Sequence, residues 1–554
     1  MKILLVYPNL FGMNMLPPAI GMLNSCLLRA SHRTALFDTT SYSDWGGTAG
    51  SDKMKEHYLN ARPYDDRLLR QNEKHGSPTA DFVRKVQEFS PDLIAISVTE
   101  DMYPNAVELL AMLDPKDRPR VVVGGVFATF APELALRKAN NSIDYVLTGE
   151  GEHTLPELCA RLEAGKDFSS VPGICFLKKD GSFCRNPLPV VVDPNEIPLP
   201  NYDFFEESRF YRPMQGRVWR MFPVETIRGC PYTCAYCNSP SQAVIYQDSK
   251  QKYFRKTRVE TIHQQVKHLI GRYGADSFYF WADTFLAVSD SEFEEFCDMY
   301  AEFKLPFWVQ TRPETVTPRK FKRLQEVGLL RTAFGVEHGN AQFREKVLLR
   351  RVENEVIVRN LNTVRDLGIP FSVNNILGFP RETRALAFDT IELNRQIKSD
   401  GMNAYSFTPF HGTPLRTMSE LLGYVKPGYL ARSIMKPTML RMPHWPKEQI
   451  EGLRRCFVLY VKLPKSRWNE IEKAEQLTPE GDRIWQTLRD EVLSNHMPWG
   501  DRNAEDDAGR IDLEKEDFEV NDAAQKTILG FVETRRGSPQ RRGSKSQTPL
   551  AEAA

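Results

Sequence analysis

Residues 228–238 read Arg-Gly-Cys-Pro-Tyr-Thr-Cys-Ala-Tyr-Cys-Asn, so Cys230, Cys234 and Cys237 fall in one tight, turn-rich loop. Thiolates at this spacing suit a soft metal centre, zinc or an iron–sulfur cluster, and not a hard cation. A structural zinc site closes with a fourth Cys or His, usually in a second short pair. The next downstream candidate, His263, sits at a solvent-facing position of a helical pattern. Three cysteines alone suit an iron–sulfur cluster with one iron left open to a substrate, and the spacing favours that reading over zinc.

Such a loop needs a scaffold, and the sequence around it supplies one. A strand at Val224-Glu225-Thr226-Ile227 leads into the cysteines, and five further strand candidates follow at 277–281, 307–310, 332–336, 371–377 and 404–407. Helical segments separate them. Val259, Ile262, Val266, Leu269 and Ile270 keep a period near 3.6. Ser289 with Glu292 forms a capping box, Thr317-Pro318 opens a helix, and Gly368 stops one. Six strand–helix repeats predict an open partial barrel whose functional side chains gather at the carboxyl ends of the strands. Those ends carry Trp281-Ala282-Asp283, Gln310-Thr311-Arg312, Glu337-His338-Gly339-Asn340, Asn374-Asn375 with Gly378 to Thr383, and Phe410-His411-Gly412. Carboxylates, an arginine and exposed backbone are what a zwitterionic, ribose-bearing cofactor requires. Trp281 and Trp308 are expected to pack the barrel.

Ahead of this unit, apolar runs at 2–7, 34–37, 93–98, 121–123 and 145–147 alternate with helical segments, the pattern of a parallel sheet covered on both faces. Ligands of such folds sit beyond the carboxyl ends of the strands. Here those turns contain Gly124-Gly125 and Gly149-Glu150-Gly151-Glu152. Residues 41–78, polar and too long for a turn, predict an insertion or lid.

The cysteine spacing, with Tyr236 just before the last Cys, resembles the radical S-adenosylmethionine (radical SAM) superfamily. A doubly wound domain ahead of it, with Gly124-Gly125 and the Gly-Glu-Gly-Glu turn, is similar to the cobalamin-binding-domain subfamily. The resemblance covers most of the first 425 residues. Together with the proline-rich stretch before the barrel, the helical pattern beyond residue 425 and the aperiodic end of the chain, it predicts an α/β fold in five units: a Rossmann-like domain over 1–165, a connector with a hairpin at Asp180-Gly181 over 166–222, a radical SAM partial (β/α)6 barrel over 223–425, a helical cap over 426–530, and a disordered tail over 531–554. It implies a 4Fe-4S cluster on Cys230, Cys234 and Cys237. SAM is expected on Tyr236, Asp283, Arg312, Glu337, Asn374 and Gly378. Cobalamin is expected on Gly124, Gly125, Gly149 and Glu150. Gly335 to Gly339 matches the subfamily's Gly-x-Glu-x-Gly, Gly378 to Thr383 its Gly-x-Pro-x-Glu-Thr, and Phe410 to Leu415 its Pro-Gly-Thr-Pro-Leu, with His411 where proline is usual. The Asp-x-His-x-x-Gly motif that supplies a histidine ligand in cobalamin mutases is absent. His153 reads as a first-turn helix residue.

The activity implied is cleavage of SAM to a 5'-deoxyadenosyl radical, with methyl transfer from cobalamin to an unactivated carbon of a small-molecule substrate. The alternatives are a cyclase or rearrangement enzyme whose cobalamin is non-methylating or lost, methylthiotransfer to RNA or protein, and a non-catalytic cobalamin or redox sensor. Methylthiotransfer would call for three more ligand cysteines early in the chain, where only Cys26 and Cys159 occur. No residue stands out as the catalytic acid, base or radical relay. A one-electron donor such as flavodoxin or ferredoxin is the expected protein partner.

Composition sets the outer bounds. A chain of 554 residues predicts about three or four domains. Its 73 basic and 72 acidic residues leave a net charge of +1, which gives no electrostatic reason for a nucleic acid or an anionic membrane as partner. Nine cysteines with one tight cluster argue for a reducing compartment, and a cytoplasmic protein is expected. No apolar run is long enough to span a bilayer, and Pro8 interrupts the first run too early for a secretory core.

Overall fold

The computed structural model describes residues 1–45, 52–247 and 251–495, with the isolated positions 530 and 534. The expectations for Gly46-Gly47, for the far part of the cap and for the tail lie outside these stretches.

The first sheet is built from β1 (Lys2–Tyr7), β2 (Arg33–Asp38), β3 (Leu93–Ser97), β4 (Arg120–Gly124) and β5 (Tyr145–Leu147), parallel in the order β2-β1-β3-β4-β5. Its alternation explains why the strands read as unbroken apolar runs. Ile3, Leu5, Leu93 and Ala95 face one helical layer, while Leu4, Val6, Ile94 and Ile96 face the other, as a strand covered on both faces requires. Beyond β5, the sheet continues through β6 (Ile174–Leu177) and β7 (Phe183–Arg185), both antiparallel. They turn at Gly181, whose φ is 82°. The hairpin expected in a connector therefore belongs to the first sheet, where it covers the edge that β5 would leave open.

The second sheet starts with β8 (Tyr211–Met214), antiparallel to β9 (Arg217–Glu225). A two-residue ribbon, β10 (Ile227–Arg228) with β11 (Arg255–Lys256), stands at the base of the cysteine loop. Then come β12 (Ser277–Trp281), β13 (Phe307–Thr311), β14 (Leu329–Glu337), β15 (Phe371–Leu377) and β16 (Gly401–Ser406). The six strands β9-β12-β13-β14-β15-β16 are parallel and curl into a half-barrel. Phe278, Phe280 and Phe307 point outward into the helical layer with Phe296 and Tyr300. Tyr279 and Trp308 point to the concave side, where their rings stack 3.8 Å apart. The predicted caps form: Ser289 and Glu292 make the reciprocal capping box, and Thr317 accepts from the Lys320 amide.

Segments outside the two sheets close the molecule. Leu59 of the insertion is buried with Met402, Leu453 and Phe457, and Arg489 Nε donates to the His57 carbonyl at 2.7 Å. The insertion and the C-terminal helices thus meet over the free edge at β16. The segment after the helix Pro414–Leu421 returns toward the first sheet, where the Ala431 amide donates to Glu100 at 2.6 Å. Among the described residues no helix is long and apolar enough to cross a membrane.

Candidate functional site

The carboxyl ends of the two sheets face one cavity of about 820 Å³. Tyr7 at the end of β1 with Asn9 after it, and Thr99 to Met102 after β3, line it from one side. These two loops flank the point where the strand order reverses, the crevice in which open α/β sheets take their ligands. Glu225, Arg228, Gly229, Tyr236, Cys237, Trp281 and Asp283 line it from the other side. Of the residues expected to hold cofactors, Cys237, Tyr236 and Asp283 line the cavity from the half-barrel, and Gly124, Gly125, Gly149 and Glu150 from the first sheet. Trp281, expected to pack the barrel, also lines the cavity; Trp308 packs as expected.

The cysteine loop leaves β10 through Gly229, whose φ of 89° suits glycine and where a Cβ would stand 2.9 Å from the Tyr253 ring. Two neighbouring loops then pin it. The Ala235 amide donates to the Leu348 carbonyl at 3.0 Å, and the Ala235 carbonyl accepts from Leu415 at 3.1 Å. Cys230 and Cys234 are buried, and Cys237 precedes the helix Asn238–Ile245. Burial pushes the Cys230 thiol up to about 11. Among the described residues no three His, Cys, Asp or Glu side chains stand close enough to share a single metal ion. The three sulfurs line one loop without meeting at a point, and a cluster, which presents a separate iron to each thiolate, does not need them to. His263, the fourth ligand a zinc site would have wanted, pairs with Glu302 at 2.8 Å on the outer surface. The donor set fits a three-thiolate cluster.

Next to these cysteines the half-barrel gathers a polar group. Arg312 Nη1 is 3.3 Å from the Cys234 sulfur, and its guanidinium lies over the Tyr232 ring. Glu337 has φ 73°, a strained conformation for a non-glycine residue. Its carboxylate folds back over Gly335, where a Cβ would meet Glu337 Oε1. That contact is the physical reason for glycine two residues before the glutamate. Burial raises the Glu337 carboxyl, against the pull of Arg350 and Arg312. Asp283 is likewise raised by burial, opposed by the Ser239 hydroxyl that donates to it.

Asn374 and Gly378 stand apart from that group. Asn374 Oδ1 accepts from Asn403 at 2.7 Å on the concave face. The Gly378 amide donates to Glu382 at 2.7 Å, and its open face is covered by Ile450. Glu382 also accepts from the Phe379 amide and faces His338 at 3.3 Å. The Gly-Phe-Pro-Arg-Glu-Thr segment is thus a self-bonded turn, and its glycine amide is taken.

On the first sheet the four expected residues divide. Gly124 has open space where a Cβ would project, its nearest neighbour being the Leu147 carbonyl at 3.8 Å. Gly125, at φ 106°, is packed against Val98, and Gly149, at φ 83°, against the Tyr246 hydroxyl. Glu150 is the clearest departure from expectation. Both its oxygens bond Arg255, at 2.5 and 2.9 Å, and it also accepts from the Val192 amide at 2.6 Å. Burial works against its charge, but Arg255 and Arg228 outweigh it and hold the carboxyl below its usual range. Glu150 joins the two halves of the molecule and has no oxygen left for a ligand. Of the four, Gly124 alone has open space before it.

Sequence reasoning missed Arg350 and the partner of Glu100. Arg350 is buried 3.7 Å from Glu337 Oε1 and 3.8 Å from Glu314 Oε2. It comes from a loop without a motif, so only the fold could reveal it. Glu100 accepts from the His411 amide at 3.0 Å and pairs with the His411 ring at 2.6 Å. His411, which stands where the resembling pattern has proline, is therefore held by the first domain. His153 is an exposed first-turn residue of the helix Gly151–Glu163, as expected.

Comparison with known proteins places this geometry. The family model of the Radical SAM superfamily matches residues 224–393, and that of the B12 binding domain matches residues 58–159. An uncharacterized methyltransferase of Pyrococcus horikoshii is 26% identical over 394 residues, 70% of this chain and 82% of its own. An anaerobic magnesium-protoporphyrin IX monomethyl ester cyclase of Rubrivivax gelatinosus is 25% identical over 433 residues, 75% of each chain. The fold is shared with the radical S-adenosylmethionine methyltransferase TsrM of Kitasatospora setae, at a TM-score of 0.60 and 14% identity, covering 89% of this chain and 99% of that one. Residues 224–393 thus carry a domain of the Radical SAM superfamily, and residues 58–159, ahead of it, a B12 binding domain.

Proposed function

We propose that this protein is a cobalamin-dependent radical SAM methyltransferase acting on a small-molecule substrate. One observation carries the reading: the cysteine loop and the ligand edge of the first sheet open into the same cavity of about 820 Å³. When bound, a 4Fe-4S cluster on Cys230, Cys234 and Cys237 supplies the electron that cleaves SAM, and cobalamin supplies a methyl carrier.

The chain's own residues orient and exclude. Arg312 and Arg350 offer guanidiniums for a carboxylate, and Glu337 and Asp283 offer carboxyls for an ammonium or a ribose hydroxyl. Met22, Trp281, Phe410 and Met435 make the cavity wall apolar, which keeps water from a reactive intermediate. Gly124 gives a corrinoid a close approach to the sheet. The electron would come from a one-electron donor such as flavodoxin or ferredoxin.

A second reading, ring closure or rearrangement in place of methylation, is favoured by the likeness to the anaerobic cyclase. Anaerobic purification with and without hydroxocobalamin, followed by absorbance spectra and a SAM-cleavage assay, tests the first reading. Both iron–sulfur and corrinoid bands are expected, together with 5'-deoxyadenosine formation that Cys234→Ala abolishes. Iron–sulfur absorbance with no corrinoid uptake would overturn it.

A further inference from the structure

Arg228 lies two residues before Cys230, on the short ribbon at the base of the cysteine loop. Its guanidinium is shared among three carboxylates. Nη2 bonds Glu225 at 2.8 Å, and Nη1 stands 2.7 Å from Glu152 and 3.2 Å from Glu150. Glu225 ends β9 of the half-barrel, whereas Glu150 and Glu152 come from the turn and helix start after β5. Arg255, on the strand paired with Arg228, binds Glu150 from its other side. All five side chains are nearly buried, and they line or adjoin the shared cavity.

A buried ion network contributes little net stability compared with apolar packing. What it adds is geometry, because a guanidinium fork donates to carboxylates in few orientations. A slip of one sheet against the other would break several charge-assisted bonds at once. The surrounding close contacts reinforce this: Tyr253 packs on Gly229, Tyr246 on Gly149, and the two tyrosine rings stack 5.3 Å apart.

We propose that Arg228 is a positioning residue that fixes the cysteine loop against the ligand edge of the first sheet. It thereby sets the separation between a cluster on that loop and a corrinoid on that edge. The proposal rests on the function proposed above.

The test uses the full chain, reconstituted anaerobically with iron and sulfide, loaded with hydroxocobalamin and reduced to a paramagnetic cluster and Co(II). The microwave power that half-saturates the Co(II) electron paramagnetic resonance reports how strongly the nearby cluster relaxes it. Glu152→Gln and Arg228→Gln are expected to keep iron and corrinoid content while shifting that power several-fold, with Arg228→Lys between them and the wild type. Full occupancy with a wild-type half-saturation power in Glu152→Gln overturns the proposal. Glu152→Gln, nearly isosteric, decides the matter if Arg228→Gln does not fold. A wild-type chain that takes up iron but no corrinoid overturns the function itself and the proposal with it, and the missing corrinoid bands distinguish that failure from the other.

Discussion

Arg312 reaches across the half-barrel to within 3.3 Å of the Cys234 sulfur, its guanidinium stacked 3.6 Å above the Tyr232 ring. A cation donating to a ligand sulfur stabilises the added electron of a reduced cluster. Arg312→Leu is therefore expected to make the cluster harder to reduce. One charge-assisted hydrogen bond contributes about 1.5–3 kcal/mol, or roughly 65–130 mV for a one-electron couple. A redox titration followed by electron paramagnetic resonance checks it, and an unchanged potential would separate Arg312 from the cluster.

Gly124 and Gly125 are adjacent but differ in what holds them. Gly125→Ala would drive a Cβ into the Val98 carbonyl at φ 106°, and is expected to destabilise the fold by about 1–3 kcal/mol. Gly124 has no such neighbour, so Gly124→Leu should keep its melting temperature while weakening hydroxocobalamin uptake by about tenfold or more, roughly 1.4 kcal/mol. Thermal melts beside corrinoid titrations read both. Wild-type corrinoid affinity in Gly124→Leu would remove Gly124 from the binding surface.

Cluster assembly should be steeply pH-dependent. Burial pushes the Cys230 thiol up to about 11, so the folded apoprotein holds its proton through neutral pH, and binding iron must release it. The rate of reconstitution with iron and sulfide should rise between about pH 7 and 9. A flat profile over that range would contradict the buried thiol.

Glu100 joins three segments by accepting from His411, through amide and ring, and from the Ala431 amide. Glu100→Ala leaves those donors without their acceptor and should cost about 1–3 kcal/mol. Limited proteolysis should then cut near residue 431 faster than in the wild type. An unchanged digestion pattern would mean that the segment is held by its other contacts.

The sequence by itself determined the elements and the chemistry that lie close together along the chain. The cysteine spacing, the strand runs, the capping box at Ser289 and the ends of the barrel strands are local patterns, fixed by side-chain type and by periods of two or 3.6 residues. Tertiary structure decided which of those groups remain available. Glu150 looked like a ligand in a glycine-rich turn until the fold brought Arg255, 105 residues away, against it. His411 was legible only as a departure from a proline at a strand end, and its partner Glu100, 311 residues away, came from the fold. Arg350 carried no signal at all, because a lone arginine in a loop acquires a role only from the carboxylates packed around it. Local patterns follow from bonded geometry, whereas partners of buried charges follow from how two separately folded sheets are set face to face.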